Sequence, residues 1–108
     1  MNDFQMLELA AKAAGYYIEF VRNSGCFYRC EEDIGREEWN PLDDDGDAFR
    51  LAIKLSICIQ FIPDCDTAQV YQENKRGGAY NVHTAALGDI ETRRIITQAA
   101  AEIGRSMK

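Results

Sequence analysis

Apolar residues recur at helical spacing at the start, middle and end of the chain, and shorter β-prone runs separate them. Phe4, Leu7, Ala11 and Ala14 share one helical face, widened by Met6, Leu9, Ala10 and Ala13. This predicts a helix over Asp3 to Ala14, with Asp3 as its cap and Gly15 as its stop. Its small alanine surface suits close packing on a sheet. Tyr16 to Arg22 reads as a strand rich in aromatic and β-branched residues. Asn23-Ser24-Gly25 reads as a three-residue hairpin loop, Cys26 to Glu31 as the return strand, and Glu32 to Asn40 as a charged loop.

A second helix is expected over Asp43 to Ser56. Ala48, Leu51, Ala52 and Leu55 form its apolar line, with Phe49 and Ile53 beside it. Ile57 to Ile62 is a compact β-prone run stopped by Pro63. Ala68 to Gln72 and Ala79 to His83 are weaker strands joined by the turn Asn74-Lys75-Arg76-Gly77-Gly78. Asp89 to Met107 reads as the last helix, with Ile96, Ala99, Ala100, Ile103 and Met107 on one face. Asp89 and Glu91 near its start and Arg105 and Lys108 near its end match the macrodipole, and Asp89 can pair with Arg93 one turn on. The expected fold is therefore α+β, in the order helix-β-β-helix-β-β(-β)-helix. One antiparallel or mixed sheet of about five strands is covered by three helices in a layered sandwich.

The 108 residues fit one domain, spanning 1–108, and are enough to bury a core. The net charge of -6 sets the chain against phosphate backbones, which argues against nucleic acid as a partner. No apolar run reaches the roughly 18 residues that span a bilayer. The start lacks a signal-peptide pattern, so a cytoplasmic location is expected. In that setting Cys26, Cys30, Cys58 and Cys65 are reduced thiols, most simply buried.

Trp39-Asn40-Pro41-Leu42-Asp43-Asp44-Asp45-Gly46-Asp47-Ala48 is the least ordinary stretch. Read structurally, it is a Trp-anchored turn before an acidic helix start, in which Asp43 or Asp44 caps and Asp47 adds favourable charge. Read as a calcium loop, Asp43, Asp45 and Asp47 alternate correctly, but Ala48 takes the glycine position and Lys54 the bidentate glutamate position. Read as a recognition surface, Trp39, Asn40, Asp43, Asp44, Asp45 and Asp47 would suit a basic partner, provided that Trp39 is exposed. A zinc site from the cysteines and His83, or a Cys–His nucleophile, lacks the local spacing of such sites. No catalytic set, metal site or cofactor motif is complete, so no cofactor is expected.

Three stretches carry a resemblance. They are Leu7 to Gly15, Trp39 to Leu55, and Thr92-Arg93-Arg94-Ile95-Ile96 with Ala99-Ala100-Ala101-Glu102-Ile103-Gly104. Together they resemble a family of small phage- and prophage-encoded proteins with an "ABA sandwich" domain. The resemblance implies helix–sheet–helix layering, a phage or prophage origin, and action in the cytoplasm of an infected or lysogenic bacterium. It implies no catalytic residues, and it makes Trp39, Asn40, Pro41, Asp45, Gly46 and Asp47 a shared structural turn. The leading functional expectation is a non-enzymatic accessory protein that binds a host or phage protein. An acidic decoy of a nucleic-acid-binding protein and a metal-dependent hydrolase using Asp43 to Asp47 are the alternatives. Exposed sheet edges also leave room for a homodimer.

Overall fold

Asn2, not Asp3, starts the first helix. In the computed structural model, which describes residues 1–31 and 35–107, α1 spans Asp3–Ala14. The Asn2 Oδ1 accepts the Gln5 backbone N–H at 2.8 Å, and the Gln5 side chain accepts the Asn2 N–H at 3.3 Å. This reciprocal box satisfies two of the helix's free donors. Asp3 lies one position inside and pairs with Arg94 at 3.0 Å instead. Gly15 closes the helix at a φ of 73°, a conformation that favours glycine.

Three antiparallel strands follow: β1 (Ile18–Val21), β2 (Cys26–Glu31) and β3 (Gly35–Trp39), in the order β1-β2-β3. The turn between β1 and β2 covers residues 22–25, one more than expected, and Gly25 takes its positive φ of 69°. β3 lies where a loop was expected; residues 32–34 of that segment lie outside the described residues. Its sequence, Gly35-Arg36-Glu37-Glu38-Trp39, has almost no apolar alternation. It holds as an edge strand because Trp39 pairs with Phe27 and the charged residues face solvent.

The second helix, α2 (Asp45–Leu55), leads into β4 (Cys58–Ile62), a short 3-10 turn at Pro63–Cys65, β5 (Thr67–Glu73) and β6 (Ala79–Ala86). These strands form a second antiparallel sheet, in the order β4-β5-β6. The Asn74 side chain organises the β5–β6 turn by accepting the N–H groups of Arg76 and Gly78, each at 2.9 Å. The expectation of one sheet of about five strands is thus corrected to two sheets of three. Each hairpin group completes its own ladder, and α2 links the groups rather than crossing over within one sheet. The final helix, α3 (Asp89–Ser106), ends one residue short of expectation, and Lys108 lies outside the described residues.

One apolar cluster joins all of these elements. It includes Leu7, Ala10 and Ala14 of α1, Phe27 and Trp39 of the first sheet, Leu51 of α2, Ala68 and Val70 of the second sheet, and Ile95, Ile96 and Ala99 of α3. α3 is the shared element, packing on α1, α2, β5 and β6. The alanine surface of α1 meets α3, not a sheet as expected. The two helices run in the same direction: Asp3 meets Arg94, the Leu9 backbone faces Gly104, and Lys12 Nζ donates to the Met107 carbonyl at 3.0 Å. Small side chains at this crossing let the backbones approach closely. A Cβ placed on Gly104 would lie 1.9 Å from the Leu9 carbonyl oxygen. Met107, expected on the buried face of α3, is exposed.

Candidate functional site

The Trp39–Asp47 segment folds around its own hydrogen bonds. Pro41 keeps Asn40 extended. The Asn40 Oδ1 accepts the Leu42 N–H at 3.1 Å, and the Asn40 carbonyl accepts the N–H groups of Asp43 and Asp44 at 3.1 and 2.9 Å. This turn delivers Asp44 to the N-cap of α2, where its Oδ2 accepts the Asp47 N–H at 2.8 Å. Asp47, buried despite its charge, reaches back: Oδ2 accepts the Asn40 N–H at 3.0 Å, and Oδ1 accepts Arg50 Nη2 at 2.8 Å. A carboxylate can be buried only when hydrogen-bonded or ion-paired, and Asp47 has both. That bond is the main reason the Arg50 pKa is raised. Gly46 leaves the Arg50 guanidinium room between Asp44 and Asp47, since an added Cβ would lie 3.1 Å from both Arg50 Nη2 and Asp44 Oδ2.

Asp45 ties α2 to α3. Arg93 donates from Nη1 to Asp45 Oδ1 at 2.6 Å and from Nε to the Leu42 carbonyl at 3.0 Å. The hydrogen bond to Asp45 is the largest cause of the raised Arg93 pKa. The expected Asp89–Arg93 pair is therefore replaced by one 48 positions apart in sequence, formed because α3 lies against the start of α2. The cap and this strap should differ in weight. Asp44→Ala is expected to cost about 1 kcal/mol in urea unfolding. Asp45→Ala, removing a carboxylate 81% exposed, should cost at most about 1 kcal/mol, and less as salt is raised.

Trp39 is only 2% exposed, with its ring edge-on to Tyr16 at 6.0 Å between centroids. The expected surface formed by Trp39 with Asn40, Asp43, Asp44, Asp45 and Asp47 is corrected accordingly. Trp39 and Asp47 are buried and Asn40 is half-buried, leaving Asp43, Asp44 and Asp45 exposed. The alternating aspartates do not converge on one point: Asp47 turns toward Asn40 and Arg50, and Asp45 toward Arg93. Among the described residues, no group of three or more His, Cys, Asp or Glu side chains is placed to hold a metal ion.

The cysteines are divided between the sheets. Cys26 and Cys30 lie on β2, Cys58 on β4 and Cys65 in the turn after it. His83 Nε2 lies 2.9 Å from Asn81 Oδ1, and Asn81 Nδ2 donates to the Ala99 carbonyl at 3.0 Å and to Gln72 Oε1 at 3.2 Å. His83 thus completes a polar network between β6 and α3. The Cys26 pKa is raised, first by a hydrogen bond with Glu38, then by burial and the Glu38 charge, against a smaller lowering by Ser24. A raised pKa means less thiolate at any given pH. Glu38→Gln is therefore expected to speed alkylation of Cys26 by iodoacetamide at mildly alkaline pH, read by mass spectrometry against Cys65 in the same sample.

A second feature had a partial signal in the sequence. A groove of about 570 Å³ lies between the start of α2, β4 and the start of α3. Phe49, Phe61, Ile59, Leu87 and Ile96 line it, with Asp45, Asp89 and Arg93 among its polar edges. Phe49 is 60% exposed and Phe61 55%, so the groove is open to water. Ile53, one helical turn beyond Phe49, is 62% exposed and extends the apolar surface along α2. Phe49 and Ile53 were visible beside the buried line of α2. Their exposure follows from the helix's rotation, which buries Ala48, Leu51 and Ala52 instead. Among the described residues, no helix is long and apolar enough to cross a membrane.

No family model, curated protein or solved structure matches the chain.

Proposed function

We propose that this chain is a non-enzymatic protein-binding module that presents the open groove beside the aspartate-rich start of α2. The observation that carries the reading is a division of labour. The aspartates that the hydrolase alternative would need for chemistry are engaged in folding: Asp44 caps α2, Asp47 is bonded to Asn40 and Arg50, and Asp45 is bonded to Arg93. Large apolar side chains next to them are exposed together. A contiguous apolar patch with a polar rim is the usual mark of an interaction surface. An accessory role in a phage or prophage, which the resemblance implies, belongs to this proposal, as does a host or phage protein as partner.

The reading is tested by quantitative affinity capture from bacterial lysate, followed by titration of whatever protein is recovered. A saturable complex of fixed stoichiometry is the expected result. Turnover of a substrate by the purified chain, or the absence of any saturable protein complex, would count against it.

A further inference from the structure

We infer that the groove between α2, β4 and α3 receives an amphipathic helical segment of a partner protein, with apolar side chains on one face flanked by lysine or arginine. The inference rests on the binding-module reading above and adds the chemistry of the partner. Apolar contact alone would leave the occupant open, and charge decides it. Asp45 and Asp89 line the groove. Exposed Asp43 lies close enough to act on Arg93, and the Asp66 carbonyl accepts the Leu87 N–H at 3.0 Å, which places Asp66 by the groove's end. Against these four carboxylates stands Arg93, already bonded to Asp45. The N-termini of α2 and α3 add only about half a positive charge each. The edge is therefore net negative and attracts a basic segment while repelling an acidic one.

The same charge argues against a second copy. In a two-fold dimer formed through this groove, like patches would face each other, and a chain of net charge -6 would set acidic edge against acidic edge. The shape also favours a chain segment over a small molecule. Ligand pockets of about 300–1,000 Å³ enclose most of what they bind. This groove has a volume in that range, but Phe49, Phe61 and Ile53 all remain more than half exposed. A helix laid across it could cover them with residues at successive turns.

The test uses the full chain, labelled with nitrogen-15, and two helical peptides of about 15 residues. One is built from leucine and lysine, the other from leucine and glutamate in the same pattern. The expected result is saturable amide shifts at Phe49, Phe61, Leu87 and Gly88 with the lysine peptide. Its affinity should be at least about tenfold above that of the glutamate peptide and should fall as salt rises. Phe49→Ser with Phe61→Ser should abolish the shifts while moving the melting temperature by no more than about 5 °C. Equal affinity for both peptides, shifts centred instead on the exposed rings of Phe4 and Phe20, whose centroids lie 5.1 Å apart, or a concentration-dependent dimer that occludes Phe49 and Phe61 would each overturn the inference. A captured protein that binds wild type and the double variant equally would also overturn it and move the binding surface away from the groove, leaving only the conclusion that the chain is a binding module.

Discussion

Gly104→Ala is expected to lower stability by about 2 kcal/mol, the reverse of the usual effect of this substitution within a helix. Alanine normally gains about 1 kcal/mol over glycine at an interior helical position. Here the new methyl would lie 1.9 Å from the Leu9 carbonyl oxygen and 2.8 Å from its carbon. Both atoms are backbone, so no rotamer change relieves the clash, and α1 and α3 must separate. Overpacking typically costs about 1–3 kcal/mol, and at so short a distance the upper part of that range applies even after the helical gain. For a domain of this size the melting temperature should fall by about 8 °C or more. Calorimetry of the variant checks the sign. A rise in melting temperature would mean that the two backbones do not meet as described.

Trp39→Ala should be the most damaging truncation in the chain, at about 3–5 kcal/mol. The side chain is almost fully buried and touches Tyr16 edge-on. It also pins β3, whose other residues are exposed, to Phe27 of β2. Its loss removes core volume and the only buried side chain of an edge strand together. Total stability for a small domain is about 5–15 kcal/mol, so a large part of it depends on this residue. Urea unfolding followed by far-ultraviolet circular dichroism measures the loss. A change below about 1 kcal/mol would place Trp39 at the surface, where it could serve recognition after all.

The helices were legible because each shows apolar periodicity, and α1 and α2 also carry a local boundary signal. Gly15 ends α1, and the acidic start of α2 is capped by Asp44, one of two aspartates suited to the role. β3 was hidden because Arg36, Glu37 and Glu38 read as loop chemistry, and only pairing with β2 makes them a strand. The hairpins could be read from adjacent segments, but whether two hairpin groups merge into one sheet depends on long-range pairing that local pattern does not encode. The same limit hid the Arg93–Asp45 strap, since nearby Asp89 offered a sequence-local partner. It also hid the burial of Trp39, because a lone tryptophan beside aspartates suits an anchor and a recognition residue equally. The groove was half visible: Phe49 and Ile53 stood beside the core line of α2, while Phe61 and Leu87 joined them only in three dimensions.

The division between folding aspartates and spare apolar residues can be tested by one urea titration of two double variants against wild type. Asp44→Ala with Asp47→Ala removes the cap of α2 and leaves the Asn40 N–H and Arg50 without their carboxylate, and should cost about 2–4 kcal/mol. Phe49→Ser with Phe61→Ser should stay within about 1 kcal/mol of wild type, because both rings are already largely in water. The opposite order, with the aspartate variant unaffected and the phenylalanine variant strongly destabilised, would contradict the account.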